Sequence, residues 1–177
     1  KTTSTPQIKV IGREAYFFSD ISCESILTLL ELLKQIDQQP VLEYAVPIRL
    51  YVHSWGGHLE AALGFIDLLK QLRSPVHSVV VGAAVSAATF ITMACQKRYI
   101  TPNSVMLLHQ FSGGVIGTYR EQRDDKVKNE LLMDRMAEFY AKNSKFGKSQ
   151  IRKLLEQHDM WFGAEMALKA GLVDEIL

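Results

Sequence analysis

The sequence predicts an α/β fold on parallel strands, from two strand–turn–helix units in succession and an apolar strand after them. In the first unit Ile48-Arg49-Leu50-Tyr51-Val52-His53 alternates as a strand and Ser54-Trp55-Gly56-Gly57 breaks it. Leu59 to Leu72 then returns to helical spacing through Leu63, Ile66, Leu69 and Leu72. In the second unit Pro75 restarts the chain, Ser78 to Val81 reads as a strand ending at Gly82, and a helix opens near Ser86. The same order twice calls for parallel strands joined by right-handed crossovers. The third strand, Val105 to Leu108, follows Pro102 and ends at His109.

The remaining elements follow from local signals. Ile8 to Phe18 has extended patterning around Gly12, enough for one or two short strands. Ser22 is placed to cap a helix to about Ile36, with Ile26, Leu29, Leu30 and Leu33 on one stripe. Pro40 and Pro47 bracket a loop, and Lys1 to Gln7 is a polar start. Between Tyr119 and Glu130, eight of twelve residues are charged. A helix continuous from Tyr119 to Asn143 would be about 37 Å long at ~1.5 Å per residue. That is long for this chain, so it is expected either to project toward a partner subunit or to lie solvated on its own domain. Ser149 to Gln157 and Ala164 to Ala170 read as further helices, the latter stopped by Gly171, and Leu172 to Leu177 as a closing strand.

Bulk properties narrow the function classes. With 177 residues, 47% of them hydrophobic, the chain can bury one substantial core and is expected to be a single domain over 1–177. Twenty basic against nineteen acidic residues give +1, which removes a composition-based case for nucleic acid or an anionic membrane. Apolar runs are too short for a membrane span, and the first residues lack the apolar stretch of a signal peptide. Cys23 and Cys95 are the only cysteines, so a disulfide framework is not expected and a reducing compartment is. Because the sequence does not start with Met, it is expected to begin inside a longer polypeptide. The expected location is the cytoplasm, or an organelle matrix or stroma if a leader has been removed.

Chemistry centres on Gly82-Ala-Ala-Val-Ser86-Ala-Ala-Thr-Phe90. A serine at a strand-to-helix junction presents its hydroxyl where free backbone N–H groups can hold an oxyanion, and small neighbours let a substrate backbone approach. The same residues also make tight helix contacts, so packing is the competing explanation. A serine needs a base and a group to orient that base. Of five histidines, His109 stands at the C-terminal end of a strand, where open α/β sheets place functional residues. Asp159, before the apolar pair Trp161-Phe162, is expected to be partly buried and is the best orienting acid; Asp67 and Asp174 read as structural. The glycine turn can expose N–H groups, making an oxyanion hole from Gly56 and Ala87 feasible. A metal site on His53 and His58 is not expected, because five residues across two glycines is not a ligand spacing.

Taken in order, the Ser-x-Gly-Gly turn, Gly-Ala-Ala-Val-Ser-Ala-Ala, Pro102-Asn103-Ser104 leading to His109-Gln110, Asp159 before an aromatic pair, and a terminal Gly-Leu-Val-Asp resemble the ClpP family, the proteolytic subunits of the Clp protease. The likeness spans about Ile8 to Leu177. It implies a crotonase-like α/β fold of repeated ββα units with a projecting handle helix, the handle covering about 112–148. It further implies a serine-type endopeptidase with Ser86 as nucleophile, His109 as general base and acid, and Asp159 orienting His109. Gly56 and Ala87 match the oxyanion hole, Gly57 and His58 the strand edge that pairs with the peptide, and Gln110 and Phe111 the substrate groove. Stacked heptameric rings enclosing a chamber are implied, as is an ATP-driven AAA+ unfoldase that feeds it, so no cofactor is expected in this subunit. Trp55 and Phe111 stand where the family usually has proline. Two other readings compete with it: a catalytically silent scaffold subunit of the same family, and a crotonase-type acyl-CoA enzyme.

Overall fold

The computed structural model describes residues 7–39 and 46–177; the start at 1–6 and the loop from Pro40 lie outside the described residues. The described residues up to Leu107 together with Trp161–Leu177 form one compact unit, and Leu108–Met160 a second.

In the first unit, β1 (Gln7–Ile11) and β2 (Glu14–Phe18) form an antiparallel hairpin around Gly12, whose φ of 59° is the turn conformation that glycine adopts without a Cβ clash. The helix α1 (Cys23–Gln38) begins where Ser22 accepts from Ser25 N–H at 3.1 Å and Ser25 Oγ accepts from Ser22 N–H at 2.9 Å. That reciprocal cap satisfies two otherwise free donors. Strand β3 (Ile48–Ser54) pairs parallel with β2, and α2 (Leu59–Leu69) follows it. Strand β4 (Val76–Val85) pairs parallel with β3, and α3 (Ala87–Met93) follows in turn. The sheet continues through β5 (Lys97–Ile100) to β8 (Glu175–Ile176), while β6 (Val105–Leu108) pairs with the far end of β4 and with β7 (Met160–Gly163). Helix α6 (Ala164–Ala170) ends at Gly171, left-handed with φ of 73°.

The core follows the two-residue period of the strands and the turn period of the helices. Ala15 and Phe17, Ile48, Leu50 and Val52, and Val76 and Val80 are buried, as are Leu29, Leu33 and Ile36 of α1 and Phe65 and Leu69 of α2. Each large apolar side chain so buried stabilises by roughly 1.5–3 kcal/mol. Asp37 ties the end of α1 to the chain before β4, accepting from Ser74 N–H at 2.7 Å and Arg73 N–H at 3.1 Å.

The α/β class is as the sequence predicts, and the order of elements differs in four places, one of them strand β7, whose four residues are too short a run to be read as a strand from local pattern. Strand β4 does not end at Gly82 but runs on to Val85, because Gly82 forms a bulge inside it. Strand β5, Lys-Arg-Tyr-Ile, has too little alternation to be read locally and is defined by its pairing with β4. The closing strand shortens to Glu175–Ile176, and just before it Asp174 is tied to Arg98 by its own N–H, donated to Arg98 O at 2.7 Å, and by its carboxylate, which accepts from Arg98 N–H at 2.8 Å.

In the second unit, α4 (Tyr119–Lys142) is opened by Thr118, which caps Glu121 while the Glu121 carboxylate accepts from Thr118 N–H at 2.7 Å. The Thr118 hydroxyl, which donates to the same carboxylate at 2.8 Å, and then the Thr118 N–H hold the Glu121 carboxyl below its ordinary pKa. Leu132, Met136, Ala137 and Tyr140 of α4 and Ile151 and Leu155 of α5 (Lys148–Gln157) are buried. Arg152 adds ion pairs to Glu130 at 2.6 Å and Glu156 at 3.0 Å. Among the described residues, no helix is long and apolar enough to cross a membrane.

Candidate active site

Ser86 occupies the single residue between β4 and α3, and its backbone is the one non-glycine position among the described residues with positive φ, at φ 57° and ψ −125°. A side chain there costs of order 1–3 kcal/mol, and the surroundings must hold it in place. They do so from both directions: Ser86 N–H donates to Leu107 O of β6 at 2.9 Å, and Ser86 O accepts from Thr89 N–H at 2.9 Å. A serine at this helix position usually caps with its hydroxyl, but Ser86 makes no such cap. Every other residue from Ala83 to Met93 is buried, whereas Ser86 is half-buried. Ser86 is thus the one residue of this otherwise closed segment that reaches solvent.

The Ser54-Trp55-Gly56-Gly57 turn lies against it. A Cβ placed on Gly56 would fall 2.7 Å from Val85 O, 2.8 Å from Ser86 Cβ and 3.2 Å from Ala87 N, so glycine at this φ of 95° permits the approach. Gly57 is extended toward Ile21: a Cβ there would collide with the Ile21 carbonyl. Ile21 N–H donates to Gly56 O at 2.8 Å and His58 N–H to Ile21 O at 2.9 Å, which fixes the turn. The N–H of Gly56 donates to Ser54 Oγ at 3.2 Å and is buried. The donor expected from Gly56 is therefore already committed, and Gly56 contributes close packing instead. Gly57, the next residue, is exposed, and Ala87 opens α3 directly beside the turn.

In the second unit, His109 follows the last residue of β6 and is half-buried. Asp159 lies between α5 and β7 and is exposed, where the sequence leads one to expect partial burial; of the apolar pair after it, Phe162 is buried and Trp161 is half exposed. Gln110 and Phe111 line a cavity of about 440 Å³ against α4, and Phe111 N–H donates to the thioether sulfur Sδ of Met133 at 3.2 Å. Among the described residues, no group of three or more His, Cys, Asp or Glu side chains could hold a metal ion. Cys95 is buried, and burial pushes its thiol up to about 12, so a thiolate is not available there near neutrality.

The fold is that of the crotonase-like α/β proteins in their ClpP form. A ClpP1 point mutant from Listeria monocytogenes superposes with a TM-score of 0.78 at 26% identity, covering 94% of this chain and 91% of that one. The Clp protease family model matches residues 19–177. The ATP-dependent Clp protease proteolytic subunit of Streptococcus sanguinis is 35% identical over 135 residues, covering 73% of this chain and 68% of that protein. That of Lactococcus lactis subsp. lactis is likewise 35% identical, covering 73% of this chain and 67% of its own length. The chain belongs to the Clp protease family and is a protease.

Proposed function

We propose that this chain is a serine-type endopeptidase acting on unfolded proteins or short peptides, with Ser86 as its nucleophile. The observation that carries the reading is Ser86 itself: a half-buried, uncapped hydroxyl held at positive φ on a strand-to-helix turn, in a segment otherwise closed to solvent. Backbone strain of this kind persists where it serves a site. The buried, high-pKa thiol of Cys95 offers no competing nucleophile in that core.

In this reading His109 takes the Ser86 proton as the hydroxyl attacks the peptide carbonyl, then returns it to the leaving amine, with Asp159 orienting the imidazole. Ala87 N–H supplies one donor to the oxyanion. Since Gly56 N–H is bound to Ser54, the N–H of Gly57, the next and exposed residue of the turn, supplies the second. His58, Gln110 and Phe111 contact the substrate chain. The subunit works in a homo-oligomer of stacked heptameric rings, joined through the charged α4, and receives chains from an ATP-driven unfoldase; it needs no cofactor of its own.

The test is labelling by a serine-directed fluorophosphonate together with hydrolysis of a short fluorogenic peptide. Ser86→Ala should abolish both while leaving assembly intact; labelling that persists at full rate would remove Ser86 from the mechanism. A silent scaffold subunit would show no labelling of the wild-type chain, and a crotonase-type enzyme would bind a CoA thioester tightly.

A further inference from the structure

We infer that His53 is a positioning residue that sets the conformation of Ser86 through the bulge in β4. The inference rests on Ser86 being the nucleophile. At the start of β4, His77–Val80 pairs with β5 in regular register; three residues on, Ala83–Val85 pairs with β6 instead. The change of partner happens at Val81-Gly82. On the β3 side the register slips at the same place: Val52 lies opposite Val80, but Ser54 lies opposite Ala84. His53 alone faces the extra length of β4, and no backbone ladder can be regular there.

Side chains pin this bulge from both edges. His53 Nδ1 lies 3.0 Å from Val81 O, and because a carbonyl only accepts, Nδ1 carries the proton and donates. From the other edge, Gly82 N–H donates to Ser104 Oγ at 2.6 Å, and Ser104 is itself buried. The imidazole is seated directly on Gly82: a Cβ on that glycine would fall 2.7 Å from His53 Nδ1, and its φ is 74°. Phe18 of β2 packs on the other part of the ring, with centroids 5.5 Å apart. The imidazole therefore does for Val81 what a neighbouring strand does elsewhere. The geometry it fixes is passed along β4 to Ser86, which follows Val85 and donates to Leu107 of the strand that β4 joins after the bulge. The next residue, Ser54, holds Gly56 N–H, so one short stretch of β3 sets both the nucleophile's strand and the turn packed on it.

What the position requires is one N–H donor at the place of Nδ1, in a side chain flat enough to lie on Gly82. Asparagine meets that requirement through its amide nitrogen; leucine fills similar space without a donor. With His53→Leu, kcat for a short peptide should fall about 10- to 100-fold, the scale expected for a misplacement of the order of 1 Å, while KM stays within about twofold. His53→Asn should restore most of the rate. Hydrogen exchange read on the peptide spanning residues 79–87 should be faster in His53→Leu and return toward wild type in His53→Asn, and this readout holds whether or not Ser86 is the nucleophile. Equal kcat in wild type and His53→Leu, unchanged exchange over 79–87, or a His53→Asn protein as impaired as His53→Leu would each overturn the proposal. If His53→Leu does not fold, His53→Ala compared with His53→Asn decides it by the same two measurements, and failure of His53→Asn to fold also counts against it. Failure of the Ser86 assignment would appear separately, as hydrolysis retained by Ser86→Ala.

Discussion

Gly56 and Ser86 are in direct contact: the space where a Cβ of residue 56 would sit lies 2.8 Å from the Cβ of Ser86. Two backbone segments that belong to successive strand–turn–helix units thereby become one wall, with the first N–H of α3 3.2 Å from the same point. The contact is possible because one residue has no side chain and the other accepts a strained backbone.

Gly56→Ala should therefore damage the site more than its size suggests. The added methyl meets Val85 O at 2.7 Å, and alanine at φ of 95° adds strain of order 1–3 kcal/mol. The expected outcome is a lowered Tm and a loss of at least about 100-fold in peptide hydrolysis, comparable to losing an oxyanion donor. A variant with wild-type rate would show that the turn does not abut the reacting centre.

Ser86→Gly and Ser86→Ala should both be inactive yet differ in stability. Alanine keeps the cost of positive φ, of order 1–3 kcal/mol, whereas glycine removes it. Glycine adds about 0.5–1 kcal/mol of backbone entropy loss. The strain is the larger effect, so Ser86→Gly should be the more stable by about 1 kcal/mol in urea denaturation. A more stable Ser86→Ala would mean that the backbone at 86 carries no strain.

The sequence shows the elements better than their joins. Helix Ala164–Ala170 and strand Val105–Leu108 appear at the bounds read from local pattern, because Gly171 and the turn after Pro102 are strong stop and start signals. Strand β5 and the bulge at Gly82 do not appear, since both are defined by what lies beside them. For the site, Ser86 and its small neighbours were legible as a segment, but the direction of the Gly56 N–H was not. That depends on Ser54 Oγ, a side chain with no motif of its own. His53 was visible only as a histidine near a turn; its role needs the register slip between β3 and β4.

Helix α4 carries the prediction about assembly. No residue before Leu132 in this helix is buried, and Tyr119, Val127 and Leu131 are 81%, 67% and 57% exposed in the single chain. Apolar groups at this exposure on a highly charged helix fit a face that another subunit covers. Val127→Asp together with Leu131→Asp should yield a smaller particle by sedimentation while the Tm of the subunit changes little. An unchanged particle size would leave the α4 face out of the assembly.

Asp37 makes the pH dependence of stability specific. Burial pushes its carboxyl up, but the N–H groups of Arg73 and Ser74 and the Arg73 charge outweigh burial and hold it below the ordinary carboxylate value. The folded state therefore binds the Asp37 proton more weakly than the unfolded chain, whose carboxyl titrates near about 3.9. It follows that the stabilisation is fully present above that unfolded value and is lost as pH falls through the lower, folded one. Asp37→Asn keeps one acceptor oxygen for two backbone donors that are 2.7 and 3.1 Å away, so one N–H loses its partner at a cost of about 1–3 kcal/mol. Urea denaturation should show wild type ahead of Asp37→Asn by a constant margin from about pH 5 to 8, narrowing below about pH 4 as the wild-type carboxylate is protonated. A margin that stayed constant down to pH 3, or widened there, would mean that the Asp37 charge does not hold the end of α1 to the chain entering β4.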